Sequence, residues 1–241
     1  MVINVAEDYK DLSAKTAQKV AEYITANPDA LICFAAGNTP LGVFSELVSM
    51  QDRGEIDLSA CYYIGLDEWV GLGINDAGSC ACVMHEALYN YIPKERVLMF
   101  DGLAEDVNGE CRRVEDWINE HGGIGFALLG IGMNGHIGFN EPGTPDAEGC
   151  FAVVLDDVTK SVSKKYFGRE RDVEFGITIG WRTLFNADEV VLMASGSEKA
   201  QIVKKSLQGE ITPTVPASLM QKHSNLTFML DKDAAGLVSN V

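Results

Sequence analysis

One feature of the sequence constrains the fold more than any other: a short apolar run that ends in a cluster of glycines. Residues 126–129, Phe-Ala-Leu-Leu, suit a strand buried on both sides. Gly130, Gly132, Gly135 and Gly138 follow at once, interleaved with Asn134 and His136 and trailed by Asn140 and Glu141. Glycine lets a backbone turn tightly or come close to a ligand. A buried strand that opens into glycines and polar groups is what the carboxyl edge of an α/β sheet presents. A Gly-rich structural turn around a satisfied histidine would look the same, so residues 123–143 alone leave both readings open.

The rest of the chain alternates strands with helices. Residues 6–26 read as a helix with Leu12, Ala17, Val20, Ala21 and Ile24 on one stripe, ended by Asn27-Pro28. Residues 31–34 read as a strand, 40–50 as a helix, and 61–66 as a second strand. Ser79 is placed to cap a helix that runs to about Tyr91. A short strand at 96–100 precedes an amphipathic helix over 104–121, which Gly122-Gly123 ends. After the glycine cluster, strands are expected at 150–155, 189–194 and 226–230, with helices to about Leu207 and over 217–223. No internal repeat or low-complexity segment interrupts this order. The pattern implies an α/β fold: one domain over residues 1–241, a Rossmann-like open parallel sheet with helices on both faces. Its crossovers should be right-handed.

Composition narrows the function. Of 241 residues, 46% are hydrophobic, enough for a sizeable core. The net charge of −16, from 35 acidic and 19 basic residues, argues against a nucleic-acid or anionic-membrane binder. A small anionic metabolite needs only a few donors and stays compatible with it. No run is long enough to span a bilayer, and the first residues lack a signal-peptide pattern. The chain therefore reads as cytoplasmic. Cys33, Cys61, Cys80, Cys82, Cys111 and Cys150 fit small buried thiols in a reducing compartment. Neither they nor His85, His121, His136 and His223 show metal-ligand spacing, so no metal or cofactor is expected. A dinucleotide site would need a regular helix after Gly130-x-Gly132-x-x-Gly135, and His-Ile-Gly-Phe-Asn-Glu-Pro does not supply one.

Four further stretches carry chemistry-bearing residues. Ala36, Gly37, Asn38 and Thr39 link a strand to a helix headed by Pro40. The amides of such a turn can hold a phosphate, or Asn38 or Thr39 can simply cap the helix. Asp67 and Glu68 follow a buried strand, as helix caps, surface acids, or a base poised over a substrate. Ser197 can cap the helix that follows, which puts Lys199 in its first turn. A cation there is unfavourable unless it meets an anion. Lys160, Lys164 and Lys165 form a local basic group whose plain reading is a solvated face.

The run Gly130-Ile-Gly-Met-Asn-Gly-His-Ile-Gly-Phe-Asn-Glu-Pro-Gly143 closely resembles the signature of the glucosamine-6-phosphate deaminases, also called isomerases. Its first half is shared with the related 6-phosphogluconolactonases, whereas Phe-Asn-Glu-Pro-Gly favours the deaminases. Asp67-Glu-Trp-Val-Gly71 and Gly196-Ser-Glu-Lys-Ala200 resemble the same family, in the same order. The resemblance covers nearly the whole chain. It implies that Asp67 moves a proton between C2 and C1 of an amino sugar and that His136 opens the ring. Glu141 would orient His136, with Asn134 in the same relay. Phosphate would fall to Ala36, Gly37, Asn38, Thr39 and Lys199, and to Lys165, which stands where the family has arginine before two aromatics. Lysine there replaces a planar fork by a point charge.

The sequence departs from the family in two places. Asn134 stands where many members have aspartate, which changes the charge around His136. Residues 143–159 contain no Lys or Arg but do contain Asp146, Glu148, Asp156 and Asp157, unlike the allosteric members. Activation by an anionic amino-sugar phosphate at that place is therefore not expected. The implied partner is a small sugar phosphate, of the glucosamine or the galactosamine series, with no nucleic acid and no membrane. A monomer and a homo-oligomer stay open. Two other readings compete: a 6-phosphogluconolactonase-like hydrolase, and a sugar-phosphate-binding regulatory protein without catalysis.

Overall fold

The computed structural model describes residues 1–144, 149–167 and 173–239, and for residues 162–166 the backbone only. Seven strands form one parallel sheet: β1 (Val2–Ala6), β2 (Leu31–Phe34), β3 (Tyr62–Gly65), β5 (Val97–Leu98), β6 (Ile124–Gly130), β9 (Glu189–Ala194) and β10 (Leu226–Asp231). Their spatial order is β1-β10-β9-β6-β2-β3-β5. From β2 the chain builds outward through β3 to β5, then returns to lay β6 on the other side of β2. Neighbouring connections thus leave in opposite directions at the β2–β6 boundary, which opens a crevice at the carboxyl ends of the strands.

Successive side chains of a strand point to opposite faces, and here both faces are buried. Leu31, Cys33, Ile64, Ala127, Leu129, Val190 and Leu192 enter one core. Ile32, Phe34, Tyr63, Phe126, Leu128, Val191 and Met193 enter the other. That is why these strands read as continuous apolar runs. The first core is covered by α4 (Val107–Glu120), α6 (Trp181–Phe185), α7 (Ala200–Gln208), α8 (Pro216–Leu219) and α9 (Lys232–Ala235). The second is covered by α1 (Tyr9–Ala26), α2 (Leu41–Asp52) and α3 (Cys80–Ala87). The expected open parallel sheet with helices on both faces is present.

A second, three-stranded sheet was not expected. It joins β4 (Asp67–Trp69), β8 (Phe175–Ile179) and β7 (Cys150–Val154), all antiparallel. Three-residue β4 is too short to show any periodicity. It exists because β8 runs beside it, with Asp67 opposite Thr178. β1 also went unread, since most of its residues are exposed and it lies at the sheet edge beside β10. The basic segment proved to be helix α5 (Asp157–Phe167), and α9 follows the last strand directly. Ser79 caps α3 as expected, its Oγ accepting from the Cys82 amide at 3.0 Å.

Strand β6 contributes to both cores. Phe126 is fully buried, with the Tyr23 ring 5.0 Å away between centroids. Phe126→Ala should cost about 3–5 kcal/mol, the usual loss for an aromatic ring removed from a core. Urea unfolding with an unchanged m-value would measure it, and a loss below about 1 kcal/mol would place β6 outside the cooperative core.

Candidate active site

Four adjacent strands, β9, β6, β2 and β3, deliver their carboxyl ends to one cavity of about 150 Å³. Ala36, Gly37, Asn38 and Thr39 reach it from β2, Asp67 from β3, His136 from β6 and Lys199 from β9. The small sheet, the loop after β6 and α3 supply its apolar side through Trp69, Phe139, Cys80 and Val83. Trp69 packs on Phe139 at 4.6 Å and on Phe167 at 5.4 Å between ring centroids.

The loop after β2 is fixed from outside. The Tyr9 hydroxyl donates to the Asn38 and Thr39 carbonyls at 3.2 and 3.1 Å and accepts from the Gly42 amide at 2.9 Å. The turn therefore stays open on its cavity side without a side-chain cap on α2. On the far side, Lys199 is not in the first turn of a Ser197-capped helix. Residues Ser197–Lys199 form a 3-10 turn, and Lys199 is itself the cap residue of α7. Its Nζ donates to the Ile131 carbonyl at 2.7 Å, which ties it to the glycine loop. Buried Asp231 holds the loop's root: it accepts from Ser195 Oγ at 2.5 Å, from the Gly196 amide and from the Ala234 amide.

Asp67 and Glu68 are both buried, and their roles separate cleanly. Glu68 is a helix cap. Its carboxylate accepts from the amides of Trp69 (2.8 Å), Cys80 (2.9 Å) and Ala81 (2.7 Å), which joins α3 to β4. Burial pushes its carboxyl up to about 7 against the pull of those amides. Asp67 faces the cavity, and among the described residues its Oδ1 meets no hydrogen-bond partner. Burial first, and the neighbouring Glu68 charge second, push its carboxyl up to about 7. A buried carboxyl poised near neutrality suits a general base.

His136 sits on the glycine loop. A Cβ on Gly132 would come within 2.2 Å of its Nε2, so only glycine leaves room for the ring. Gly135 turns the chain with φ +88°. Behind the ring, Nδ1 lies 3.0 Å from Thr159 Oγ1 and 3.4 Å from Glu141 Oε2. Asn134 donates to Glu141 at 2.9 Å and to Asp156 Oδ1 at 3.2 Å, and accepts from the His136 amide at 3.1 Å. Burial pushes the Glu141 carboxyl up, but His136, Thr159 and Asn134 outweigh it and hold the group below its ordinary value. Thus Asn134 and Glu141 stand behind His136 and not in the cavity wall.

Asp67, His136, Lys199 and the turn after β2 come together as the sequence suggested. The side chain of Lys165 lies outside the described residues, as do Asp146 and Glu148. Sequence reasoning missed Thr159 and Asp156 at the start of α5, and the anchors Tyr9 and Asp231. None of them sits in a recognisable motif. Only the topology brings them to the site.

A model of the glucosamine-6-phosphate isomerases and 6-phosphogluconolactonases matches residues 5–229. The chain belongs to that family. The glucosamine-6-phosphate deaminase of Alkaliphilus oremlandii is 39% identical over 241 residues, 99% of this chain and 100% of the relative. That of Thermoanaerobacter sp. strain X514 is 37% identical over 241 residues, 99% of this chain and 95% of the relative. Among solved structures, a monomeric glucosamine-6-phosphate deaminase superposes with TM-score 0.95 at 32% identity, covering 98% of this chain and 100% of that one. The 6-phosphogluconolactonase of Trypanosoma brucei shares the family's fold at 22% identity, with TM-score 0.75 over 99% of this chain and 98% of its own.

The environment of Asp67 has a consequence for stability. The folded carboxyl titrates near 7 and the free one near 3.8. Between those values the folded state keeps a proton that the unfolded chain has lost, so stability falls as pH rises through that window. Asp67→Asn should therefore be more stable than the unaltered protein at pH 8, by about 1 kcal/mol or more, with the gap closing towards pH 4. Urea unfolding at pH 4, 6 and 8 tests this. A pH-independent gap would mean that Asp67 is not held in the protonation-sensitive setting described.

Proposed function

We propose that the chain converts a 2-amino-2-deoxyhexose 6-phosphate and water into a ketose 6-phosphate and ammonia. The observation that carries this reading is one cavity shared by a buried carboxyl, an imidazole on a glycine loop and a phosphate-suited turn facing a lysine. Deaminases more than 30% identical over nearly the full chain support the same substrate class. The whole chain, residues 1–241, serves this reaction as one domain.

Phosphate is held by Ala36, Gly37, Asn38 and Thr39 together with Lys199, where charge-assisted contacts are strongest. Lys165 is kept as a further phosphate contact on its place before Tyr166 and Phe167. His136, backed by Asn134 and Glu141, takes the anomeric hydroxyl proton and returns one to the ring oxygen, which opens the ring. Asp67 then removes the C2 proton and delivers it to C1 through an enolamine. The resulting iminium at C2 adds water, and the carbinolamine expels ammonia. Binding holds the sugar so that a carbon acid and a hemiacetal meet bases in different places. The protein's own residues supply every group these steps need. The free state of all six cysteines supports the cytoplasm as the setting.

Ammonia release should be seen with glucosamine 6-phosphate or its galactosamine epimer, and 6-phosphogluconolactone should not be hydrolysed. Activity on the lactone alone would sink the reading. Asp67→Asn should keep binding but lose about 10²–10⁴-fold in turnover, and deuterium exchange at C2 should vanish with it.

The acid limb of the pH profile offers an independent check. The base must be ionised, and Asp67 is held near 7. The free-enzyme kcat/KM should therefore fall as pH drops below about 7. A limb near 4, the ordinary carboxylate range, would show that Asp67 is not the titrating base.

A further inference from the structure

We infer that Thr159 is a positioning residue for His136: its hydroxyl bridges the imidazole and the Glu141 carboxylate, accepting from Nδ1–H and donating to the carboxylate. The distances favour this route over a direct imidazole–carboxylate bond. Glu141 Oε2 is 3.4 Å from Nδ1, outside the usual hydrogen-bond range, whereas Thr159 Oγ1 is 3.0 Å away. Thr159 also acts on the Glu141 carboxyl, helping, after His136, to hold it below its ordinary value. Thr159 is 3% exposed, at the wall of the cavity.

Donor and acceptor counting then fixes the proton. An ionised carboxylate only accepts, and a hydroxyl has one proton to give. With that proton on Glu141, the threonine oxygen faces Nδ1 with lone pairs, and the ring must carry its hydrogen there. Nε2 is left with a free lone pair beside Gly132, on the cavity wall. That is the tautomer which takes a proton from a sugar hydroxyl. The bridge is held rigidly. Thr159 lies in the first turn of α5, where Asp156 accepts from the Val158 amide at 2.9 Å and from Asn134 at 3.2 Å. Asn134 in turn holds Glu141 and the His136 amide. One helix turn and one loop thereby clamp both ends of the bridge.

The role of the bridge in turnover rests on the reaction proposed above, but the tautomer does not. Nitrogen-15 imidazole shifts of the unaltered protein at pH 8 should show His136 protonated on Nδ1. Thr159→Val keeps the volume and removes the hydroxyl. It should raise the Nε2-protonated fraction, lower kcat about 10- to 100-fold and move KM less than about twofold. Thr159→Ser should restore both the tautomer and most of kcat. Proton exchange at C1 of the ketose 6-phosphate, supplied open-chain with ammonia, should be spared in Thr159→Val. An Nε2-protonated His136 in the unaltered protein would overturn the inference, whether or not the valine variant folds. So would a valine variant with kcat within twofold, or a serine variant as impaired as valine. Absence of turnover on every amino-sugar phosphate would instead sink the proposed reaction, and the nitrogen shifts would still decide the bridge.

Discussion

The active-site wall depends on how one buried carboxylate is met. Glu68 is fully buried and accepts from three backbone amides, two of them at the start of α3. An unmet carboxylate at such a depth would be strongly destabilising, so these three contacts fix α3 against β4. With α3 fixed, Cys80 and Val83 close over the cavity beside Asp67. Burial keeps the Cys80 thiol well above its ordinary value, so it stays protonated next to that carboxyl. The charge of Glu68 also helps raise Asp67 towards neutrality. One residue outside the cavity lining thus fixes the wall and adds, after burial, to the upward shift of the carboxyl beside it.

Residues at strand ends were legible in the sequence; residues that cross the fold were not. Asp67, His136 and Lys199 each follow a buried apolar run, and such runs announce themselves. Strand pairing then brings their ends together with no further signal needed. Thr159 comes 23 residues after His136, in a segment whose lysines drew attention away from it. Tyr9 and Asp231 act on loops 29 and 36 residues away in sequence. The three-residue β4 is defined only by its partner β8. Glu68 shows a finer limit. Capping was one of the readings open for the Asp-Glu pair, but which acid caps depends on which faces α3.

The same frame serves two chemistries within the family. The Trypanosoma brucei lactonase keeps the fold at 22% identity, and the fold alone says nothing of the reaction. What distinguishes a site is what its loops carry at the carboxyl edge. In this chain the edge holds a buried carboxyl with an unmet oxygen, opposite an imidazole supported by two layers of polar groups. Asn134 leaves one negative charge out of that support. Asp156, just before α5, brings an acidic side chain to the same amide.

The pairing of β1 with β10 bears on how the protein matures. Residues 2–6 register with residues 227–231, so β1 waits for β10 to be made. Until then β9 is an open edge, and the apolar face of α1 lacks part of its cover. Contacts of such long sequence separation slow folding. Asp231, at the end of β10, is also the anchor for the loop that carries Lys199. The lysine's loop is therefore secured only once β10 has been made, so a nascent chain ending before β10 would hold the carboxyl and imidazole loops before it anchored the loop of Lys199.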